Sequence, residues 1–446
     1  MRQASKFSGC SCCSHSQLST RDLRDEIAVA ERIFAALRLL LRRAASSCSS
    51  AARTHSSAMR PPPAKIGQRL TDVLTPALMI SMPVLEKNEA AMRAALRGSG
   101  VALRPHFKAQ KSSACAKWLQ KQAGSELAGL CAQTLTEAEV LLRSGATPSC
   151  LLTNEVIGPA ATARAAALAV DYPGVLSVLA DCEAGVAGLS AAAVSAGAAE
   201  LAVLVEVDCG QDRCGVDSSR AGAVAALAQA IVDAPGLRFG GLHVYHGAIQ
   251  HVRTIADRKA EVEKGPKAVA ARCLAELKAA GIDSVPVVTG GGTGTFELDV
   301  ASGTHTEVQP GSYLFMDGDY GRNADTPSKF AQSLYVHTTV ISAARGKRVV
   351  DAGSKAVDLL SGVPKAVSID GAAPPGLDAV VFSSGGDEHG VLRGDALDDD
   401  AVLPVGSTLQ LVPGHCDPTV NMYNEFVCVR DGVVEDVWPI DARGPG

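Results

Sequence analysis

The stretch VALRPHFKAQKS, residues 101–112, begins like a buried β-strand and then carries polar side chains at alternate positions. Because the side chains of a strand alternate between its two faces, the apolar residues fall on one face, and Arg104, His106 and Lys108 fall on the other. A row of inward-facing polar groups costs free energy unless the groups are paired or functional. Lys111 lies beyond the predicted strand, and we expect it to be solvated.

Seven further strand-like runs follow at regular intervals, and Ala-rich helical segments that end in Gly turns separate them. Eight strands alternating with helices predict a (β/α)8 barrel, with a doubly wound open sheet as the alternative. After the barrel, short strands alternating with Gly turns predict a mostly antiparallel β-domain. The predicted strands are 101–108, 127–133, 150–156, 175–181, 201–208, 237–246, 285–291 and 308–317. The predicted units are an extension (1–60), a strand segment that joins the β-domain (61–85), the barrel (86–328) and the β-domain (329–446).

Composition narrows the class of protein. The 446 residues are 47% hydrophobic and only 4% aromatic, and the net charge is −5. The chain has no basic block typical of nucleic-acid binding and no apolar run of about 18 residues that would predict a membrane span, so we expect neither partner. The 13 cysteines are scattered and odd in number, which favours reduced thiols in an intracellular protein.

Residues 1–60 differ from the rest of the chain, with ten Lys and Arg against four Asp and Glu and an abundance of Ser and Ala. This composition predicts a transit peptide for a chloroplast or mitochondrion. The alternative is an amphipathic arm on a cytoplasmic protein.

Lys108 falls at the C-terminal end of the first predicted strand, where barrel enzymes keep their reactive groups. It can be a salt-bridge partner, or an amine whose desolvation lowers its pKa enough to form an imine. Strand 7 runs into TGGGTGTF (289–296), and the turn QPGSYL (309–314) follows strand 8. Such Gly-rich backbone can approach and cradle an anion. An imine-forming lysine opposite two phosphate loops meets the requirements of pyridoxal 5′-phosphate.

Strand 5 ends in VEVDCGQDRCGV, which places Arg213 after a tight turn. Its guanidinium would keep the nitrogen of a bound pyridine ring unprotonated. The alternative is a loop arginine paired with Asp212 or Asp217.

Several motifs recur in one order between about residues 76 and 438: RPHFKAQKS, VEVDCGQDRCGV, HVYHGAIQH, TGGGTGTF, QPGSYLFMD and PGHCDPTVN. Together they resemble the D-threonine aldolase and eukaryotic-type D-serine dehydratase family, fold-type III pyridoxal phosphate enzymes akin to alanine racemase. The resemblance implies a homodimer acting on a small D-amino acid. Lys108 would hold the cofactor, Arg213 would face its pyridine nitrogen, and Tyr245 would line the pocket unless it serves core packing. The phosphate would lie among Gly291, Gly292, Thr293, Gly311 and Ser312.

The segment PGHCDPT, residues 413–419, supplies His415 and Asp417. In an extended segment these i and i+2 side chains face the same way and can reach one ion, while Cys416 points elsewhere. The resemblance implies a divalent ion here, with His and Asp in aldolases and His and Cys in dehydratases. A nitrogen and oxygen ligand set suits Mn²⁺ or Mg²⁺.

By that resemblance, the expected reaction is cleavage of D-threonine and related D-3-hydroxy amino acids to glycine and an aldehyde. The base would be His415 or an ion-bound hydroxide. One alternative is a D-serine dehydratase, which forms pyruvate and ammonia. A silent pyridoxal-phosphate-binding protein is the third hypothesis.

Overall fold

The computed structural model describes residues 61–220, 222–367 and 374–445, so the predicted transit peptide lies outside the described residues. Among the helices of these residues, none combines the length and the apolar composition needed to cross a membrane.

The first ten strands contain a barrel. Eight of them form one parallel sheet in the order β2-β10-β9-β8-β6-β5-β4-β3, and β7 pairs with β6. Backbone bonds of 2.9 Å, from Ala128 to Leu103 and from Cys131 to Pro105, join the two ends and close the ring. The predicted (β/α)8 barrel is therefore confirmed. The strands are β1 Ala77–Ser81, β2 Ala102–Leu103, β3 Leu130–Ala132, β4 Cys150–Glu155, β5 Leu176–Ala180, β6 Leu201–Asp208, β7 Val216–Asp217, β8 Leu237–Val244, β9 Val288–Gly290 and β10 Glu307–Val308.

Helices cover the barrel, and local sequence signals set several of their ends. The side chains of Ser112, Thr134 and Thr254 accept backbone hydrogen bonds at helix N-termini, while Gly145 and Gly197 end helices in the left-handed conformation. The helices are α1 Met82–Leu96, α2 Ser113–Ala123, α3 Leu135–Ser144, α4 Pro159–Asp171, α5 Glu183–Ala196, α6 Ala223–Asp233, α7 Ile255–Val262, α8 Ala268–Ala279, α9 Phe296–Ala301 and α10 Cys416–Val420, and a π-helical turn, Glu263–Lys267, joins α7 to α8.

A second, mostly antiparallel sheet follows, as predicted. Strand β1 belongs to this sheet, where it pairs antiparallel with β11 and parallel with β17. Along the described residues, the chain thus enters the β-domain at β1, forms the barrel and then returns to the β-domain. The strands are β11 Leu334–Ala344, β12 Lys347–Val350, β13 Lys365–Val367, β14 Val381–Ser384, β15 Gly390–Arg393, β16 Thr408–Val412, β17 Glu425–Arg430 and β18 Val433–Pro439.

The first and last barrel strands are much shorter than predicted. Strand β2 ends at Leu103 and β10 ends at Val308, each two residues before a proline. Because proline has no N–H for the ladder, Pro105 and Pro310 stop the pairing, and short 3₁₀ turns follow. The 3₁₀ turns of the described residues are Leu70–Asp72, Phe107–Ala109, Gly124–Glu126, Ala248–His251, Ser312–Leu314, Tyr320–Arg322, Leu377–Ala379 and Asp395–Asp398.

Candidate active site

A cavity of about 330 Å³ lies between the barrel loops and the start of α10. Residues that follow β2, β6, β8, β9 and β10 line it, together with the first residues of α10. The C-terminal face of a barrel is where substrates bind in enzymes of this architecture. Of the residues predicted from sequence, the cavity wall contains Lys108, Arg213, Tyr245, Gly292, Thr293, Gly311, Ser312, His415 and Asp417. Gly291 is not part of the wall.

Lys108 lies on the 3₁₀ turn Phe107–Ala109 rather than on a strand. Its Nζ is half-buried and lies 3.8 Å from Oδ2 of Asp417. Burial has the largest single effect on the pKa of Lys108 and lowers it, but the Asp417 carboxylate and Tyr245 together leave the pKa above its ordinary value. Lys108 therefore pairs across to the β-domain, which is the first of the two roles that the sequence left open, and imine formation by its amine stays a prediction.

The other two side chains of the alternating polar row, Arg104 and His106, are paired. Arg104 makes a buried two-pronged ion pair with Glu307, at 2.6 and 2.9 Å. The Nε2 of His106 is 3.0 Å from the hydroxyl of Thr153, and its Nδ1 accepts the backbone N–H of Lys108. Burial and the nearby Lys108 charge hold the pKa of His106 well below its ordinary value. His106 is thus a neutral group that orients the Lys108 turn.

The two Gly-rich loops meet on the opposite side of the cavity. The hydroxyl of Thr293 accepts the backbone N–H of Tyr313 at 3.1 Å and so ties the loops together. Within the described residues, the backbone N–H groups of Thr293, Gly311 and Ser312 have no protein acceptor. Unpaired backbone donors are rare in folded proteins, and several on one wall fit an anion.

Two glycines let these loops take their shape. Gly291 has φ +67°, and a Cβ there would lie 2.5 Å from Oδ2 of Asp299. A Cβ on Gly311 would lie 2.9 Å from the carbonyl oxygen of His106. Gly291 therefore acts by making the turn behind the wall, and Gly311 by letting one loop approach the Lys108 turn closely.

Arg213 reaches neither of the carboxylates suggested by sequence. Its Nη2 lies 3.9 Å from Glu206 Oε1, and its guanidinium carbon is 5.8 Å from the centre of the Tyr245 ring. Glu206 in turn shares a hydrogen bond with Glu155. Burial and the Glu206 carboxylate raise the pKa of Glu155 to about 7. Arg213 therefore faces Glu206 on the cavity wall, and a shared proton joins Glu206 to Glu155.

The His415 region is not the extended segment that the sequence suggested. His415 caps α10, and Cys416 and Asp417 lie in its first turn. Oδ2 of Asp317 accepts hydrogen bonds from His415 Nδ1 at 2.7 Å and from the Cys416 N–H at 2.9 Å. Burial lowers the pKa of His415, but the Asp317 hydrogen bond and the charge of Asp417 raise it by more.

His415 and Asp417 nevertheless face one another across the cavity wall, with Nε2 and Oδ2 3.9 Å apart. Two ligand atoms that are each ~2.1 Å from one ion can be no more than ~4.2 Å apart, so the pair fits a shared cation. Asp317, His415 and Cys416 also lie close enough to suggest a ligand group. Burial raises the pKa of the Cys416 thiol well above its ordinary value, and metals bind the thiolate, so the His415 and Asp417 pair fits better.

The comparisons with known proteins agree with this geometry. Residues 80–319 match the model "Alanine racemase, N-terminal domain", and residues 333–429 match "Putative serine dehydratase domain". A D-threonine aldolase of Arthrobacter sp is 43% identical over 387 residues, which are 86% of this chain and 96% of that protein. The chain belongs to the D-threonine aldolase family.

Two further members of the D-threonine aldolase family are similar over comparable lengths. A 3-hydroxy-D-aspartate aldolase of Paracoccus denitrificans is 39% identical over 391 residues, covering 86% of this chain and 96% of that protein. The crystal structure of D-threonine aldolase from Filomicrobium marinum matches with a TM-score of 0.79 and 38% identity, over 86% of this chain and 99% of that chain.

Sequence reasoning missed three residues of this D-threonine aldolase family site. Asp317 fixes the imidazole of His415, and Glu206 faces Arg213. Lys111, which we expected to be solvated, has a side chain that is only 12% exposed. A signal was available for Asp317, because it ends the last predicted barrel strand (308–317), and the ends of barrel strands lie at the catalytic face. The burial of Lys111 has no local signal.

Proposed function

We propose that this chain is a carbon–carbon lyase that cleaves D-threonine and related D-3-hydroxy amino acids to glycine and an aldehyde. The observation that carries the proposal is the position of Asp417, whose Oδ2 lies within 3.9 Å of both the Lys108 amine and His415 Nε2. The amine that would bind the cofactor is therefore adjacent to the ion site. Cleavage of the carbon–carbon bond between the amino-bearing and the hydroxyl-bearing carbons requires both. The names of the relatives, D-threonine aldolase and 3-hydroxy-D-aspartate aldolase, support the same reaction and substrate class.

Pyridoxal 5′-phosphate fits the residues of the cavity. Lys108 would bind its aldehyde, Arg213 would face its ring nitrogen, and Tyr245 would lie beside the ring. The unpaired N–H groups of Thr293, Gly311 and Ser312 would hold its phosphate. When bound, the cofactor delocalises the negative charge that develops on the substrate carbon.

The ion that suits His415 and Asp417 is Mn²⁺ or Mg²⁺, because one imidazole and one carboxylate leave most positions to water and substrate. Such an ion lowers the pKa of a bound hydroxyl group. Nδ1 of His415 is occupied by Asp317, so only Nε2 faces the cavity. One lone pair cannot hold an ion and accept a proton at once. We therefore assign His415 as a ligand, and the base for the hydroxyl proton must be another group.

The chain's own side chains supply the remaining chemistry. The ammonium of Lys108 pairs with Asp417, so an ion on Asp417 weakens that attraction and favours the neutral amine that reacts with an aldehyde. Lys108 lies on the cavity wall, so its amine would be the group that delivers a proton to the substrate carbon to complete glycine. His106, neutral and hydrogen-bonded to the Lys108 N–H, holds that turn in place.

Dehydration of D-serine is the second candidate reaction on the same scaffold. The match of residues 333–429 to a putative serine dehydratase domain is the observation that favours it. Dehydration would use a thiolate beside the imidazole. Here the Asp417 carboxylate reaches the cavity, and the neighbouring Cys416 thiol is fully buried. The oxygen ligand favours the aldolase.

The test is an assay of the purified protein with pyridoxal 5′-phosphate and Mn²⁺ or Mg²⁺ on D-threonine, L-threonine and D-serine. We expect glycine and acetaldehyde from D-threonine, and loss of turnover with a chelator. Pyruvate and ammonia from D-serine as the main products would contradict the proposal. Asp417→Cys, run alongside, is expected to lose aldolase activity because it replaces the oxygen ligand.

A further inference from the structure

Lys111, three residues after Lys108, has a backbone conformation that its surroundings impose. Its φ is +49°, in the left-handed region that non-glycine residues seldom adopt, at a cost of about 1 kcal/mol. Its N–H donates to the carbonyl of Phe107 at 2.8 Å, and its own carbonyl accepts the N–H of Ala442 at 2.9 Å. This turn directs the side chain away from solvent and toward the β-domain.

The ammonium of Lys111 has three acceptors from three separate segments. Nζ lies 3.0 Å from Asn421 Oδ1, 3.1 Å from the carbonyl of Gly444 and 3.3 Å from Glu137 Oε1. An ammonium has three N–H donors, so these contacts saturate it. Within the described residues Lys111 is absent from the cavity wall, and it therefore acts through its partners.

One of those partners ends the helix that carries the ion ligands. Asn421 is the C-terminal cap of α10, and its N–H donates to the carbonyl of Asp417 at 3.3 Å. Its Oδ1 also accepts the N–H of Gly444 at 2.8 Å. Since α10 spans only Cys416–Val420, fixing its end also fixes the side chain of Asp417 in its first turn.

We propose that Lys111 is a positioning residue that sets the separation between the Lys108 amine and the ion-binding pair His415 and Asp417. It joins the turn that carries Lys108 to the helix that carries Asp417 through one largely shielded ammonium with three acceptors. The inference rests on the proposed function for the assignment of the ion, and it adds a residue that reaches neither the ion nor the cofactor.

The experiment compares Lys111→Met, Asn421→Ala and the double variant with wild type and with Lys117→Met, an exposed lysine on α2. Mn²⁺ affinity is titrated by electron paramagnetic resonance, and cofactor binding is followed by visible absorbance. We expect Lys111→Met to bind Mn²⁺ about 10- to 100-fold more weakly, as loss of a group that orients a ligand does, and to keep the cofactor band. Asn421→Ala should act in the same direction, and the double variant should fall short of the product of the two effects.

Activity separates a positioning role from a general loss of structure. Turnover of D-threonine by Lys111→Met should recover as Mn²⁺ is raised, whereas the Lys117→Met control should match wild type throughout. Unchanged Mn²⁺ affinity, or effects of the two single changes that simply multiply, would overturn the inference. So would a parallel loss of cofactor, Mn²⁺ and thermal stability.

Failure of a variant to fold and failure of the proposed function can each be told apart from failure of the inference. If Lys111→Met does not fold, Asn421→Ala makes the same comparison with the ammonium still bound to Gly444 and Glu137. If wild type binds Mn²⁺ yet yields no glycine and acetaldehyde, the proposed function fails, while the Mn²⁺ titration still decides the role of Lys111.

Discussion

Oδ2 of Asp317 lies 2.7 Å from Nδ1 of His415, across the boundary between the barrel and the second sheet. Asp317 is fully buried and also accepts the backbone N–H of Cys416. One carboxylate thus fixes both the imidazole ring and the start of α10. Groups that orient a metal-binding histidine typically contribute 10- to 100-fold in metal affinity.

Asp317→Asn is expected to weaken Mn²⁺ binding by about 10- to 100-fold, because an amide holds the imidazole less firmly than a carboxylate does. Equilibrium titration of Mn²⁺ measures this directly. Asp398→Asn, an exposed carboxylate of the β-domain, is the control. Equal Mn²⁺ affinity in wild type and Asp317→Asn would show that this hydrogen bond does not serve the ion.

Lys108→Ala and Lys108→Arg are both expected to abolish turnover of D-threonine and the visible band of the bound cofactor. Arginine keeps a cation opposite Asp417 but cannot react with an aldehyde at neutral pH. The pair therefore separates the charge of Lys108 from its reactivity. Full turnover by either variant would remove Lys108 from the chemistry.

Gly291→Ala is expected to weaken binding of pyridoxal 5′-phosphate by at least about tenfold, since a Cβ there would collide with Asp299. Gly303→Ala is a matched control. Gly303 has a similar φ of +73°, but an added Cβ would meet nothing within 4 Å. Absorbance titration of the cofactor compares the two, and similar affinities for both variants would refute a role for the Gly291 turn.

The raised pKa of Glu155 should make the free energy of unfolding depend on pH. Its pKa is raised to about 7 in the folded protein from 4.5, so between these values the folded state keeps a proton that the unfolded chain has lost. The free energy of unfolding therefore falls as pH rises through this window, and no stabilisation from the proton remains above pH 7.

Glu155→Gln imitates the protonated carboxyl and should be more stable than wild type at pH 8.5, by on the order of 1 kcal/mol for a partly solvated group. The two proteins should be close at pH 4.5. Urea unfolding at both pH values measures the difference, with the exposed Glu126→Gln as control. A stability difference that is the same at both pH values would count against the shared proton.

Local patterns predicted the barrel, and they also marked the two Gly-rich loops and Lys108 that the structure brings to one cavity, because each depends on residues close together in sequence. The central strand β6 has the bounds 201–208 that its apolar run predicted. The lengths of the first and last barrel strands, β2 and β10, were overestimated. Pro105 and Pro310 end the backbone pairing, although the alternation of side-chain types continues beyond them. Proline is the physical reason in both cases.

The β-domain half of the site was harder to predict. His415 and Asp417 were found by their spacing, but the extended interpretation overlooked that a proline such as Pro418 is tolerated in the first turn of a helix. The contacts of Asp317 with His415 and of Lys111 with Asn421 join distant parts of the chain. Such pairings follow from the packing of two domains, and no local pattern encodes them.

Strand β1 has a consequence for how the protein matures. Met79 pairs with Tyr335 on one side and with Val427 on the other, so a nascent chain has β1 outside the ribosome long before either neighbour is made. The barrel can assemble during this interval, but the edges of β1 stay open to other chains until translation reaches β17. We therefore expect chains that stop before residue 425 to aggregate through this strand, which sedimentation of chain-terminated fragments would detect.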